Sequence, residues 1–219
     1  MSPLDPKLFT EVAARAKQQL RTRMKALRSA HPEAALAERS ARVVERVANL
    51  PDFAAARGVA LFWPMLDQKE VDVRALDALA RSDGKRVYYP GFAEAPGGAL
   101  GSEFRLTSSP DELAVRAHRF LEPPPDAAVA RRGDVELVVV PALAAALSGH
   151  RLGFGIGFYD SLLPDHCPPA RAVVVLFDFQ LLAELPVMPH DVACDFVVTD
   201  AKTSAQPVPP VPLVEPPAR

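Results

Sequence analysis

The stretch Gly149–Leu163, GHRLGFGIGFYDSLL, decides how the rest of the chain is read. Gly153, Gly155 and Gly157 alternate with Phe154, Ile156 and Phe158, a spacing that lets the backbone approach a bulky anion while the intervening side chains line a wall. Arg151 stands just upstream and Asp160 just downstream. Free N–H groups with a fixed cation before them and a carboxylate after them suit a nucleotide phosphate and its Mg2+, the carboxylate holding the metal. A glycine run also suits a tight connection with no ligand, so its surroundings matter. Val135–Val140 is an apolar run that reads as a buried parallel strand, and Pro141–Ser148 separates it from the glycines. A dinucleotide-binding fingerprint needs GxGxxG directly after the strand, and a P-loop needs Gly-Lys-Ser/Thr; neither is present.

Outward from the loop, apolar strands alternate with amphipathic helices. Asp5-Pro6 opens a helix running to about Arg28, in which Phe9, Val12, Ala16, Leu20, Met24 and Leu27 recur at intervals of three and four. Lys17, Arg21, Lys25 and Arg28 form a cationic stripe beside them, which by itself reads as a solvated face. A second helix, opened by Pro32-Glu33, turns Leu36, Val43, Val47 and Leu50 to the core and ends at Pro51. Gly58–Phe62 is a short strand, and the loop from Trp63 to Glu70 leaves its carboxyl end, where open α/β sheets collect ligands. Val71–Arg81 reads as a helix, Arg86–Tyr89 as a strand stopped by Pro90, Gly91–Leu100 as a mobile loop, Glu103–Leu106 as a strand and Pro110–Phe120 as a helix. Tyr159–Leu163 starts a helix whose N-terminus points toward the anion site. Ala172–Phe177 and Phe196–Thr199 complete a mostly parallel sheet, making the chain α/β. Residues 9–200 read as one domain, 1–8 as a loose N-terminus, and 201–219, with six prolines from Pro207 to Pro217, as a disordered tail.

A chain of 219 residues, 49% hydrophobic, buries a sizeable core as one domain. A net charge of −2 offers no global attraction to nucleic acid, so an anion site must be local. Cys167 and Cys194 are the only cysteines and lack CxxC spacing, which fits reduced bystanders in a cytoplasmic protein. With no apolar run of membrane-spanning length and no charged-then-apolar leader, neither membrane insertion nor secretion is expected. His31, His118 and His166 read as surface residues, while His150 and His190 flank the regions of interest. There is no zinc spacing and no GxSxG elbow.

Arg151-Leu152-Gly153-Phe154-Gly155-Ile156-Gly157-Phe158-Tyr159-Asp160 resembles the RxGxGxGxYD signature of the 5-formyltetrahydrofolate cyclo-ligase family, also called 5,10-methenyltetrahydrofolate synthetases. The likeness extends over roughly residues 15–200. Lys17-Gln18-Gln19-Leu20-Arg21 matches an N-terminal KxxLR, Met65 to Glu70 matches a loop ending in the family's glutamate, Glu122-Pro123 falls at an EP pair, and Asp191 sits where a late aspartate is expected. The resemblance implies the fold shared with glucosamine-6-phosphate deaminase, ribose-5-phosphate isomerase and CoA transferases. It also implies ATP-dependent phosphorylation of the formyl oxygen of 5-formyltetrahydrofolate, followed by ring closure to 5,10-methenyltetrahydrofolate. Lys17, Arg21, Arg151 and the loop residues Gly153, Phe154, Gly155, Ile156, Gly157, Phe158 and Tyr159 would then meet ATP. Met65, Glu70, Phe154 and Phe158 would meet folate, Asp160 and Asp191 would hold Mg2+, and Arg151, Glu70 and Tyr159 would be catalytic. The expected partners are these small molecules, with no nucleic acid or membrane, on a monomer or weak dimer.

The chain departs from the family pattern in three places. Pro-Gly-x-x-Phe-Asp is replaced by Pro141-Ala142-Leu143-Ala144-Ala145-Ala146, Ile156 occupies a position often filled by glycine or lysine, and Ser161 one where arginine is common. A folate- or nucleotide-binding regulator without turnover is therefore the alternative to an enzyme.

Overall fold

The computed structural model describes residues 6–94, 100–116 and 120–206. Helices α1 (Pro6–Ser29), α2 (Glu33–Ala48) and α3 (Pro51–Ala55) precede β1 (Gly58–Ala60), α4 (Arg74–Ser82), β2 (Arg86–Glu94) and β3 (Leu100–Thr107). The short strands β4 (Ala114–Val115) and β5 (Leu121–Glu122) follow, then β6 (Leu137–Pro141), β7 (Ala144–Ala146), β8 (Arg151–Leu152) and α5 (Phe158–His166). The chain continues through β9 (Arg171–Val175), β10 (Leu181–Leu182), β11 (Phe196–Val198) and β12 (Thr203–Ala205).

Seven strands form one sheet in the order β12-β11-β9-β6-β1-β2-β3. The five inner strands are parallel, and β12 and β3 close the edges antiparallel, so the sheet is the mostly parallel one expected of an α/β protein. Alternation along the inner strands splits the core in two, because successive side chains point to opposite faces. Val59, Val87 and Val139 pack under Leu36, Val43, Val47, Phe53 and Leu76 of α2–α4, whereas Ala60, Val138 and Val140 pack against Leu162 and Leu163 of α5. Each fully buried valine or leucine contributes roughly 1.5–3 kcal/mol of transfer free energy. From β1 the chain moves outward to β2, while β6, β9 and β11 lie in sequence on the other side. The strand order thus reverses between β1 and β6, where an open sheet leaves a crevice at its carboxyl edge.

Several local expectations change. In α1 the buried face is Ala13, Lys17, Met24 and Arg28, while Val12 is 60% and Leu27 36% exposed. The Phe9 side chain lies outside the described part. The helix does not rest on the large sheet: Met24 and Leu20 pack on Leu143, which precedes β7, and on Ala144 and Leu152 of a second, three-stranded sheet ordered β10-β7-β8. That partner selects a face about 70° round from the centre of the apolar stripe. Pro90 does not stop β2, which runs to Glu94. Tyr88 accepts from the Leu61 N–H and the Phe92 N–H donates to Glu122 Oε2, so residues of this parity face the β1 side. With β1 ended at Ala60, Pro90 removes an N–H that no strand there requires. The span Gly91–Leu100 is therefore partly strand, and residues 95–99 of it lie outside the described residues.

The described part of the 110–120 span is not an α-helix. Pro110–Glu112 makes one 3-10 turn, Leu113 is buried, and Ala114 and Val115 pair with Glu122 and Leu121, so core and ladder contacts override helix propensity. Pro141–Ser148 is not simply a connection but contains β7. At the termini, α1 already begins at Pro6, and Thr203–Ala205 adds an edge strand to β11. Residues 207–219 and His118 lie outside the described residues. Among the described residues no helix is long and apolar enough to cross a membrane.

Candidate functional site

A cleft of about 290 Å3 opens at the β1/β6 crevice, bounded by Phe62 and Trp63 beyond β1, Pro141 at the end of β6, and the glycine loop. All fourteen residues singled out from the sequence as nucleotide, folate or metal contacts lie on its wall, although they come from α1, the β1 loop, β8, α5 and the segment before β11.

The loop owes its shape to its glycines. Gly155 and Gly157 have φ of 106° and 70°, a region L-residues rarely adopt, and Gly157 stands at the N-terminus of α5. A Cβ at Gly153 or Gly157 would meet nothing within 4 Å, whereas one at Gly155 would sit 3.1 Å from Arg21 Cζ. Arg21 Nε donates to the Gly153 carbonyl at 3.0 Å, laying its guanidinium along the loop. One helical turn away, Lys17 has a side chain only 9% exposed and forms a 2.5 Å ion pair with Asp191 Oδ2. Burial opposes ionisation of Asp191, but the bonds from Lys17 and the Met188 N–H hold its carboxyl below the usual carboxylate range. Arg151, anchored by the Val192 carbonyl at 2.5 Å, donates to Asp160 Oδ1 at 2.9 Å, and the Val192 N–H donates to the same oxygen at 3.1 Å. Burial and the Glu70 carboxylate push the Tyr159 phenol above its ordinary range, so it is a neutral donor near pH 7.

Glu70 lines the same cleft. The chain turns back after Leu66–Gln68, and the Met65 N–H donates to Glu70 Oε2 at 2.8 Å. Glu70 is 5% exposed and its Oε1 has no hydrogen-bond partner among the described residues. Burial, opposed by that backbone bond and by Arg28, lifts its pKa to about 7. A buried carboxylate oxygen left without a donor is costly unless something else supplies one. Trp63 combines two roles: it packs edge-on against Tyr89 in the core and also lines the cleft.

Three features were misread or missed in sequence. Arg28, expected on a solvated face, is 2% exposed, its Nε without a hydrogen-bond partner among the described residues, behind Phe154 and beside Glu70. His166 is buried against Phe104 rather than on the surface, because α5 packs that side on the sheet, and burial lowers its pKa. Phe120, placed in a helix that does not form, joins Phe92 and Phe158 in an aromatic group on the cleft wall. Its one sequence signal was its position just before Glu122-Pro123. His190 lines the cleft, while His150 bonds Ser148. The departures are accommodated: Ala145 and Ala146 are buried in β7, Ile156 is 68% exposed, and Ser161 bonds Ser102 and the Phe158 carbonyl.

Fold and cleft together define an open, mostly parallel α/β protein whose glycine loop, buried cations and buried carboxyl converge at a topological switch point. Residues 13–200 match the model of the 5-formyltetrahydrofolate cyclo-ligase family, and the chain belongs to that family. A 5-formyltetrahydrofolate cyclo-ligase of Mycolicibacterium smegmatis is 36% identical over 133 residues, covering 59% of this chain and 61% of that protein. The match thus spans about three fifths of that relative's length. The 5-formyltetrahydrofolate cyclo-ligase of Escherichia coli K12 is 30% identical over 159 residues, covering 72% of this chain and 85% of that protein. The NMR structure of Aquifex aeolicus 5,10-methenyltetrahydrofolate synthetase superposes with a TM-score of 0.74 at 29% identity, covering 86% of this chain and 92% of that one.

Proposed function

We propose that this chain converts 5-formyltetrahydrofolate and ATP to 5,10-methenyltetrahydrofolate, ADP and phosphate. The observation that carries the reading is the convergence on one cleft of two different chemistries: Lys17, Arg21 and Arg151 beside an open glycine loop, and a buried carboxyl with an unpartnered oxygen. The first suits phosphate and the second suits the amino and ring N–H donors of a pterin. Family membership and the likeness to named cyclo-ligases support the same substrates.

In this reading the γ-phosphoryl group passes from ATP to the formyl oxygen, N10 attacks the activated formyl carbon, and phosphate leaves with that oxygen. The protein forms no covalent bond; it positions the reactants and balances charge, which dominate phosphoryl-transfer catalysis. Arg151 and Lys17 face the phosphates from fixed positions, since each is held by a carboxylate and a buried wall. Arg21 braces the loop through Gly153, Glu70 orients the pterin, and Trp63, Phe154 and Phe158 exclude water from the reacting centre.

The donor set suits a magnesium ion that arrives with the nucleotide. Among the described residues no group of three His, Cys, Asp or Glu is placed to hold a metal, but both carboxylates line the cleft: Asp160 takes its protein hydrogen bonds on Oδ1, and Asp191 takes its own on Oδ2, with His190 Nε2 3.9 Å from Oδ1. Mg2+ is commonly held by one or two carboxylates plus phosphate oxygens, and it would supply charge neutralisation on the transferring group. The test is to mix the protein with 5-formyltetrahydrofolate, ATP and Mg2+, then follow methenyl absorbance in the near ultraviolet together with ADP release. Product and ADP in equal amounts are expected. Binding of both ligands without product would instead identify a non-catalytic regulator.

A further inference from the structure

Glu70 is held in place by a residue outside the cleft machinery. Its neighbour Lys69 has φ 52° and ψ 42°, the left-handed region, and is the only described non-glycine residue with positive φ. A lysine keeps such a backbone only where its surroundings hold it there. The hold is visible: Lys69 Nζ donates to the carbonyls of Ser29 and His31, both at 2.8 Å, and its own N–H closes the 3-10 turn onto Leu66 at 2.9 Å. Ser29 is the last residue of α1, so the ammonium sits on the negative end of a 24-residue helix, where the final carbonyls lack partners within the helix. The same helix carries Lys17 and Arg21 to the cleft wall.

On these contacts we infer that Lys69 is a positioning residue for folate: its ammonium ties the Met65–Glu70 loop to the C-terminus of α1 and so fixes the Glu70 carboxyl relative to the phosphate-facing cations. The tie acts through the loop's closed geometry. Gln68 N–H and Glu70 N–H both point to the Met65 carbonyl, and Glu70 Oε2 takes the Met65 N–H, so the turn moves as one piece once Lys69 releases it. Lys69 itself is not on the cleft wall, and it contacts no residue assigned to ATP. Its loss therefore separates the two ligands. Folate binding suffers, while ATP binding, made by the glycine loop and by Lys17 and Arg21 in the middle of α1, does not.

This inference rests on the folate reading of the cleft, and its test keeps the two apart. Trp63 is the chain's only tryptophan and lines the cleft, so quenching of its fluorescence by 5-formyltetrahydrofolate reports binding without turnover. ATP affinity is measured separately by calorimetry. Lys69→Met keeps the apolar stem and removes the ammonium; Lys69→Gly removes it too but adopts the left-handed backbone freely, which keeps a folded variant available. Both are expected to bind folate about tenfold more weakly, a loss comparable to one charge-assisted hydrogen bond, with ATP affinity within about twofold of the parent. Parental folate affinity in Lys69→Gly would overturn the tie and leave only a backbone requirement. An equal loss of both ligands, or a lowered melting temperature with both affinities intact, would reduce Lys69 to a structural cap. A parent protein that does not bind folate at all would defeat the functional reading itself.

Discussion

Glu70→Gln is the most informative single change. The carboxyl is buried, one oxygen takes the Met65 N–H and the other has no partner, and burial raises its pKa from 4.5 to about 7. Because the folded value lies above the unfolded one, the native state binds the proton more tightly between pH 4.5 and about 7. Glu70's contribution to stability is therefore fully present below pH 4.5 and is lost as pH rises through 7. A displacement of that size corresponds to about 3 kcal/mol. Glutamine keeps the length, still accepts from Met65 through its carbonyl, and never ionises. Without ligand, Glu70→Gln should be more stable than the parent at pH 8, by up to about 3 kcal/mol, and the difference should shrink toward pH 5. With folate the order reverses, because an amide N–H would face the pterin's own donors. Losing charge-assisted hydrogen bonds of roughly 1.5–3 kcal/mol each predicts a ten- to hundredfold fall in kcat/KM for folate. Urea unfolding from pH 5 to 8 and turnover kinetics measure the two halves. A stability difference that does not vary with pH would refute the buried-carboxyl argument, and parental kinetics would remove Glu70 from the site.

Gly153→Ala and Gly155→Ala separate what the loop does from how it folds. Gly153 has open space for a methyl group, so alanine there should weaken ATP about tenfold while the melting temperature moves by no more than about 2 °C. Gly155 has positive φ and Arg21 at 3.1 Å, so alanine there should cost on the order of 1 kcal/mol or more of stability as well. Unchanged ATP affinity in Gly153→Ala would end the phosphate-cradle reading. Asp160→Asn and Asp191→Asn should each raise the Mg2+ concentration needed for tight ATP binding, read by calorimetry across a Mg2+ series. Parental titrations in both would leave these acids as anchors for Arg151 and Lys17 alone.

Local signals were legible in the chain where one residue type answers to one local requirement. Alternating glycines between a cation and an acid mark a close backbone approach whatever surrounds them. An unbroken valine run marks a strand covered on both faces, and Val138–Val140 are fully buried. Glu70, Lys17 and Asp191 were legible only through the resemblance, since nothing local to each tells a cleft from a solvated surface. What tertiary structure alone decided is which surface each element turns inward. Periodicity places an apolar stripe on α1, but its partner is the small sheet carrying Ala144 and Leu152, so Lys17 and Arg28 are buried and Val12 is exposed. Pro90 breaks a strand only where its missing N–H is needed, and that depends on β1 ending at Ala60, thirty positions earlier in the chain. The raised pKa of Glu70 likewise depends on enclosure by residues distant in sequence, because desolvation is set by everything that excludes water from the carboxyl.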